Sequence, residues 1–269
     1  MKRLRIAAAA APLLGFILGG CAAAPTGGKT MVQEDAFGSR KMLAVVTIAS
    51  VRQIQGEKDF ARMFKRSDNM PGAHTQPIIN HLGPKMIKAL AQSRHFVLLP
   101  ENRVLRNKSY KALEEDRRAD WSLFKAEPIT VARRYKYFSD PRKFAQLAEA
   151  LHADGVISVL MSFTIQSEKA FPGGDSPPPA MKDYAMVLVL TAQAYDRTGA
   201  VIWRDTVVEE TDLGGMKAII PEDLSDMRNT DLADLRPLAV EAGERAIQAL
   251  VGRFRDAVEG PAATAQDAR

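Results

Sequence analysis

The sequence predicts an α/β fold: a single domain with a mixed, mostly parallel sheet, an antiparallel hairpin and flanking helices. Two apolar runs, at 43–50 and 156–165, are nearly continuous, which is typical of strands covered on both faces. Apolar residues recur at helical spacing between these runs. Because strand–helix–strand crossovers join parallel strands, part of the sheet must be parallel. Two further strand patterns flank a turn at 196–199 and predict the hairpin.

The elements of the first half follow from local patterns. Residues 52–74 are charged and mixed, which predicts an irregular excursion after the first strand. A helix is predicted over 75–93, where Pro84 interrupts the pattern and predicts a kink or a fresh start. A short strand and a charged helix then follow, at 95–99 and 101–118.

The second half begins with a segment, 119–139, whose pattern indicates no single element. The Asp-Pro pair at 140–141 is typical of an N-cap followed by the first helical residue. The helix that it begins is expected to end before Asp154 and Gly155, which let the chain turn into the next strand. The later elements are the two hairpin strands and a last helix, at 184–195, 200–208 and 237–258.

Composition and charge exclude several classes of protein. The chain has 269 residues, 46% hydrophobic and 26% charged, which is ordinary for a globular protein. A single cysteine excludes internal disulfides and multi-cysteine metal sites. The net charge of +5 is uneven, because residues 85–143 carry 15 Lys/Arg against 7 Asp/Glu. Such an excess predicts either a solvated face or a surface for lipid phosphates or an acidic partner; nucleic acid is not an expected partner.

The amino terminus has the pattern of a secretory signal. Lys2, Arg3 and Arg5 precede an apolar stretch at 6–18. That stretch has about 13 residues, too few to cross a hydrocarbon core of ~30 Å as a helix. Small residues and the only cysteine, Cys21, follow directly.

The sequence Leu18-Gly19-Gly20-Cys21 resembles the lipobox of bacterial lipoproteins. The resemblance implies cleavage before Cys21, a diacylglyceryl thioether on its sulfur and a fatty acyl chain such as palmitate on its amine. The next residue is Ala22 and not Asp, which under the enterobacterial sorting rule implies the outer membrane, facing the periplasm. The alternative is a plain secretory signal with an incidental cysteine.

These patterns divide the chain into four parts. We expect a signal peptide, a flexible tether beginning with lipidated Cys21, one α/β periplasmic domain and a disordered tail, at 1–20, 21–40, 41–259 and 260–269. Removal of the signal peptide removes three cations and lowers the net charge from +5 to +2.

Two stretches resemble a group of envelope lipoproteins. Residues 147–163 (LAEALHADGVISVLMSF) are similar to its helix–strand junction, and 188–207 (LVLTAQAYDRTGAVIWRDTV) to its hairpin. The group comprises the TolB amino-terminal-domain-like proteins, the penicillin-binding-protein activators and the curli-secretion (CsgG-like) lipoproteins. The resemblance implies a TolB amino-terminal-domain-like fold and a non-catalytic protein that works through protein contacts.

No familiar catalytic, metal or phosphate-binding motif occurs, so we expect neither an enzyme nor a small-molecule substrate, and no cofactor beyond the lipid on Cys21. His74 and His81 lie seven residues apart, but no third ligand has the spacing of a metal site. His152 and Asp154 occupy a predicted helix end, which explains both residues better than a catalytic pair does.

Two segments are candidates for partner binding. In the first, cations alternate with rings: Arg133, Arg134, Tyr135, Tyr137 and Phe138. The second is a Pro/Gly-rich loop at 171–183 that begins with Phe171. For both segments the alternative is ordinary packing or a solvated loop, and Trp203 is assigned to packing.

The first hypothesis for function is a lipid-anchored periplasmic adaptor or scaffold that binds another cell-envelope protein, with self-association left open. The second is a subunit of a curli-type outer-membrane secretion pore, which would need long alternating hairpins. An envelope hydrolase is the third.

Overall fold

A computed structural model of the chain describes residues 30–33, 36–56, 74–116, 118–122, 125–167, 183–215 and 235–259. Several predictions lie outside these ranges: the signal peptide 1–20, Cys21, the tail 260–269 and, except for its last residue, the loop 171–183 with Phe171.

Strands, singly or in groups, are separated by helices along the described chain. The strands are β1 Met31–Val32, β2 Lys41–Val51, β3 Gln55–Gly56, β4 Phe96–Leu98, β5 Arg118–Ser122, β6 Lys125–Val131, β7 Gly155–Ser167, β8 Asp183–Asp196 and β9 Val201–Gly215. The helices are α1 Gln76–Leu90, α2 Glu101–Arg106, α3 Lys108–Ala112, α4 Pro141–Leu151 and α5 Arg236–Glu259. None of these helices has the length and apolar character to cross a membrane.

One mixed sheet runs through the molecule in the order β1-β9-β8-β7-β2-β6-β5. Two short strands lie off this path, since β4 pairs with β2 and β3 pairs with β7. β2 runs parallel to β7, from Leu43 opposite Gly155 to Ser50 opposite Met161. β2 therefore lies inside the sheet, with β7 along one edge and β4 and β6 sharing the other.

The predicted α/β class with a single mixed sheet is confirmed, but the prediction of a mostly parallel sheet is wrong. Among the described strand pairs, three are parallel and five are antiparallel. Two features account for the difference. The pairing of β7 with β8 extends over thirteen residues, and the segment 119–139 contributes the unpredicted antiparallel strands β5 and β6.

Helices cover both faces of the sheet and enclose two cores. α1 and α5 pack on one face, where Trp203 is fully buried, as predicted, with its ring 4.8 Å from that of Phe254. α2, α3 and α4 pack on the other face at the start of β2 and β7. There Phe144 of α4 stacks on Tyr195 of β8, with ring centroids 4.2 Å apart. The nine residues 43–51 of β2 are all buried, which matches their continuous apolar pattern.

Two predicted helix boundaries differ from the structure. α1 is continuous through Pro84, so no fresh start occurs there, because its burial of Leu82, Gly83 and Met86 in the core outweighs the one lost hydrogen bond. The single helix predicted at 101–118 is instead two short helices. Asn107 is extended between them, and its side chain accepts a hydrogen bond from the backbone of Tyr110, which starts α3 anew.

The predicted turn devices are confirmed. Asp140 caps α4 by accepting a hydrogen bond from the backbone N–H of Arg142 at 2.9 Å. In the hairpin, Asp196 accepts from the backbone of Thr198 at 2.8 Å, and Gly199 has a φ of 85°. The left-handed residue at the end of α4 is His152 and not Gly155, which shows that His152 serves as a helix cap.

The amino-terminal segment is docked where the sequence predicted a flexible tether. β1 pairs with the edge strand β9, and the ring of Phe37 is buried 5.1 Å from that of Phe254. The tether prediction is therefore wrong for residues 30–33 and 36–40. Apolar Phe37 drives the difference, because burial of a phenyl ring stabilises the docked state by about 1.5–3 kcal/mol.

A polar cluster around one buried carboxylate fastens this segment to the domain. Asp205 of β9 is fully buried, accepts a hydrogen bond from the Thr30 hydroxyl at 3.0 Å and pairs with Arg253 of α5 at 2.8 Å. Burial raises the pKa of Asp205 in spite of these bonds. Because a buried carboxylate without partners would be costly, the cluster fixes the point at which the chain enters the domain.

Gly155 provides a test of the strand pairing at the centre of the sheet. A Cβ at this position would lie 2.3 Å from the backbone carbonyl oxygen of Tyr195. We expect Gly155→Ala to lower the free energy of unfolding by about 1–3 kcal/mol, because the backbone has to move. Gly252→Ala in α5, where a Cβ meets nothing within 4 Å, should raise it by about 0.5–1 kcal/mol. Urea unfolding of both variants measures the difference, and equal changes would contradict the pairing.

Candidate functional site

A basic groove of about 700 Å³ lies between the helices α2 and α3 and the turn that follows β6. We use the name basic groove for this cavity and the side chains that line it. Its charged lining residues are Glu101, Arg106, Lys111, Arg133, Arg134 and Lys136. Five of these six are cations, so the groove has a strong excess of positive charge.

The turn that carries Arg133 and Arg134 is held by its neighbours. The backbone N–H of Ala132 donates to the carbonyl of Ile48 in β2 at 2.8 Å. The backbone N–H of Arg133 donates to the side-chain oxygen of Asn80 in α1 at 2.8 Å. Arg133 has a φ of 51°, a left-handed conformation that costs about 1–2 kcal/mol in a residue with a Cβ. The surrounding contacts therefore impose the position of both arginines.

Gln76 of α1 forms hydrogen bonds that hold the strand end leading into the same turn. Its side-chain amide donates to the carbonyl of Val131 at 2.7 Å and to the side-chain oxygen of Asn80 at 3.1 Å. Its own oxygen accepts a hydrogen bond from the hydroxyl of Thr130. These bonds connect the first two turns of α1 with the end of β6.

Tyr110 connects the opposite wall of the groove to the sheet. Its hydroxyl donates to the carbonyl of Val46 in β2 at 2.9 Å and accepts from the backbone N–H of Lys136 at 2.7 Å. Burial raises the pKa of Tyr110, so the hydroxyl stays protonated. The Lys136 amine donates to the carbonyls of Lys111 and Leu113 at 2.6 and 2.7 Å, which joins the turn to the end of α3.

Asp116 fastens the chain that leaves α3. Its carboxylate accepts hydrogen bonds from the backbone N–H and the hydroxyl of Ser139, both at 2.9 Å, and pairs with Lys143 at 2.6 Å. Burial alone would raise the pKa of Asp116, but the bonds from Lys143 and Ser139 outweigh burial and lower it. This clamp holds α3 near α4.

Four of the five cations remain available to a ligand. Arg106, Lys111, Arg133 and Arg134 are exposed, and none of them has an ion-pair partner among the residues that the structure describes. Lys136 differs, because backbone carbonyls satisfy its amine.

A second cavity, of about 600 Å³, lies between α1 and α5 and serves as a comparison. It too is lined by cations, but its Lys85 pairs with Glu244. Its Arg245 pairs with Glu241 at 2.7 Å and with Glu209 at 3.4 Å. Lys88 also lines this cavity and has no ion pair among the described residues, so the basic groove differs in the number of unpaired cations, four against one.

The structure exposes two of the predicted binding residues and buries three others. Arg133 and Arg134 are exposed, as a contact surface requires, and their binding to a partner stays a prediction. The rings of Tyr135, Tyr137 and Phe138 are only 3%, 6% and 1% exposed, so the prediction that they anchor a partner is corrected. Each ring packs into a different cluster of the core.

Two residues of the groove, Arg106 and Lys111, were not singled out from the sequence. The charge excess over 85–143 contained them, but nothing in the pattern showed which of its cations share a surface. In the described ranges, no group of three or more His, Cys, Asp or Glu side chains is placed to hold a metal ion.

Two buried tyrosines, one in each of the two main cores, test the described hydrogen bonds. Tyr110→Phe removes a hydroxyl with two bonds and leaves the carbonyl of Val46 and the N–H of Lys136 without it, so we expect the free energy of unfolding to fall by about 1–3 kcal/mol. Tyr135→Phe is the matched control, because among the described residues its buried hydroxyl makes no hydrogen bond of normal geometry and interacts with the nearby Glu101 carboxylate. It should change stability by less than about 0.5 kcal/mol. Urea unfolding measures both, and a larger loss for Tyr135→Phe would refute the assignment.

Asp116→Asn tests the clamp through pH. Because the folded pKa lies below the ordinary value of 3.8, the ionised carboxylate contributes stability above that value and loses it as pH falls through the folded pKa. The variant should therefore be less stable than the wild type by about 1–2 kcal/mol at neutral pH. The difference should shrink below pH 3.8. Thermal unfolding across this range measures it, and a constant difference would contradict the clamp.

No family model and no curated protein matches the chain. Among solved structures, it is similar to lipoprotein GNA1162 from Neisseria meningitidis, at 10% identity over 81% of this chain and 99% of that chain, with a TM-score of 0.32. It is also similar to a neuraminyllactose-binding hemagglutinin homolog from Helicobacter pylori, at 8% identity over 86% and 88%, with a TM-score of 0.30. Scores this low indicate no function, and the resemblance to the TolB amino-terminal-domain-like group stays a prediction.

Proposed function

We propose that this chain is a lipid-anchored bacterial envelope protein that acts by docking to another envelope protein. The observation that carries the proposal is the sequence Leu18-Gly19-Gly20-Cys21, which follows a basic start and an apolar stretch and contains the only cysteine. A thioether-linked diacylglyceryl group and an acylated amine supply several fatty chains, and two or more chains anchor a protein stably.

The docked amino-terminal segment limits how far the domain can lie from the membrane. The described fold begins at Thr30, nine residues after Cys21. Nine extended residues span at most about 30 Å. Because the buried Thr30–Asp205–Arg253 cluster fixes the entry point, the anchor reaches the domain at one edge of the sheet, beside β1 and β9. A partner would therefore be engaged close to the bilayer.

The groove side of the domain supports action by docking. β6, which leads into the groove turn, lies on the far side of β2 in the sheet, five strand positions away from β1. At about 4.8 Å per strand this separation is roughly 24 Å along a flat sheet. The groove turn is thus several strands away from β1, where the tethered segment enters the sheet, so a partner can reach the groove while the protein is anchored.

Replacement of the cysteine tests the anchor. Cys21→Ser removes the sulfur that carries the diacylglyceryl group, so we expect uncleaved precursor and loss of the mature protein from the outer-membrane fraction. Mass spectrometry of the amino-terminal peptide measures the processing. Ala23→Ser is the matched control and should be processed like the wild type. Unmodified Cys21 in the wild-type protein would overturn the proposal.

The residue after the cysteine tests the membrane to which the protein is sorted. Under the enterobacterial sorting rule, Ala22→Asp should retain the lipidated protein in the inner membrane, and density-gradient fractionation of the envelope distinguishes the two locations. If Ala22→Asp and the wild type both fractionate with the inner membrane, the outer-membrane assignment is wrong.

A further inference from the structure

We infer that the basic groove is the docking site for an acidic polypeptide segment of the partner. The inference rests on the proposed function, which requires a docking surface, and names the chemistry of the partner. Three elements contribute cations that have no ion pair with any described residue: Arg106 from α2, Lys111 from α3, and Arg133 with Arg134 from the turn after β6.

The position of the cations is fixed before any ligand arrives. The Arg133 backbone is held in its left-handed conformation by Asn80, and the Tyr110 hydroxyl joins β2 to the other end of the turn. The entropy lost in ordering this turn is therefore lost on folding and not on binding. Preorganised groups lose less entropy on binding, and charged side chains on such a frame select for a ligand of opposite charge.

The rest of the lining favours a polypeptide over a phosphate group. Besides the cations, Glu101 and Asn102 line the groove together with the partly buried Leu105. The Glu101 carboxylate repels any anion next to it, but it can accept hydrogen bonds from the peptide N–H groups of a segment whose acidic side chains lie at the cations. The volume of about 700 Å³ is also that of sites that enclose a molecule much larger than a single phosphate.

Binding of a fluorescein-labelled decaglutamate peptide to the detergent-solubilised full chain tests the inference by fluorescence anisotropy. Arg106→Glu on one wall and Arg134→Glu on the other should each weaken binding by about tenfold or more, because like charges then face the ligand. Arg103→Glu is the matched control, since Arg103 is an exposed cation of the same helix α2 that does not line the groove. It should weaken binding by less than about twofold at physiological salt, where screening acts over ~8 Å.

Several outcomes would overturn the inference. An equal loss with Arg103→Glu would show diffuse attraction by net charge, and equal binding of labelled decaglutamine would show that acidity is not recognised. Displacement of the peptide by inorganic phosphate or glycerol phosphate at lower concentration than by unlabelled decaglutamate would assign the groove to a phosphate ligand. If decaglutamate does not bind to protein whose Cys21 is lipidated, the assignment of the groove is wrong and the proposed lipid anchor is supported. If decaglutamate binds as expected to a chain whose Cys21 is unmodified, the proposed lipid anchor is wrong instead.

Discussion

The pairing of β2 with its neighbours is the constraint on which the rest of the structure depends. Buried on both faces, β2 separates the core under α1 and α5 from the core under α2, α3 and α4. Both walls of the basic groove are attached to it, one through the Tyr110 hydroxyl on Val46 and the other through the Ala132 N–H on Ile48. The groove therefore keeps its shape only while β2 is paired with β7, β4 and β6.

This arrangement explains how the domain can carry a surface of cations that have no ion pair within the described part of the chain. Four exposed positive charges repel one another, and a flexible loop would relax by moving them apart. Here the backbone bonds to Asn80, Ile48 and Tyr110 prevent that relaxation. These hydrogen bonds between neutral groups thus hold the cations in a pattern that an acidic ligand would stabilise.

Much of the fold follows from the sequence because it depends on local patterns. The apolar runs predicted β2 and β7, and Asp140, Asp196 and Gly199 predicted a helix start and a hairpin turn, since these devices act within a few residues. The antiparallel strands β5 and β6 were not predicted, because the alternating stretches at 118–122 (RADWS) and 129–131 (ITV) are short and β6 depends on β2 for its pairing. The docking of residues 30–33 likewise depends on Asp205, 175 residues away from Thr30.

The candidate site was predicted only in part, for a related reason. A sequence shows that cations and rings alternate at 133–138, but not that the rings turn inward and the cations outward. The grouping of Arg106 and Lys111 with Arg133 and Arg134 comes from tertiary contacts through Tyr110 and Lys136. Long-range contacts of this kind leave no periodic signal in the chain.

Site-specific photocrosslinking in intact cells tests docking through the basic groove. A photoreactive residue is placed at Arg134 on the groove or, in a matched strain, at Arg103 outside it. We expect one dominant protein adduct from position 134, crosslinked through an acidic segment, and no such adduct from position 103. The same adduct from both positions, or none from position 134 in correctly lipidated protein, would contradict docking through the basic groove.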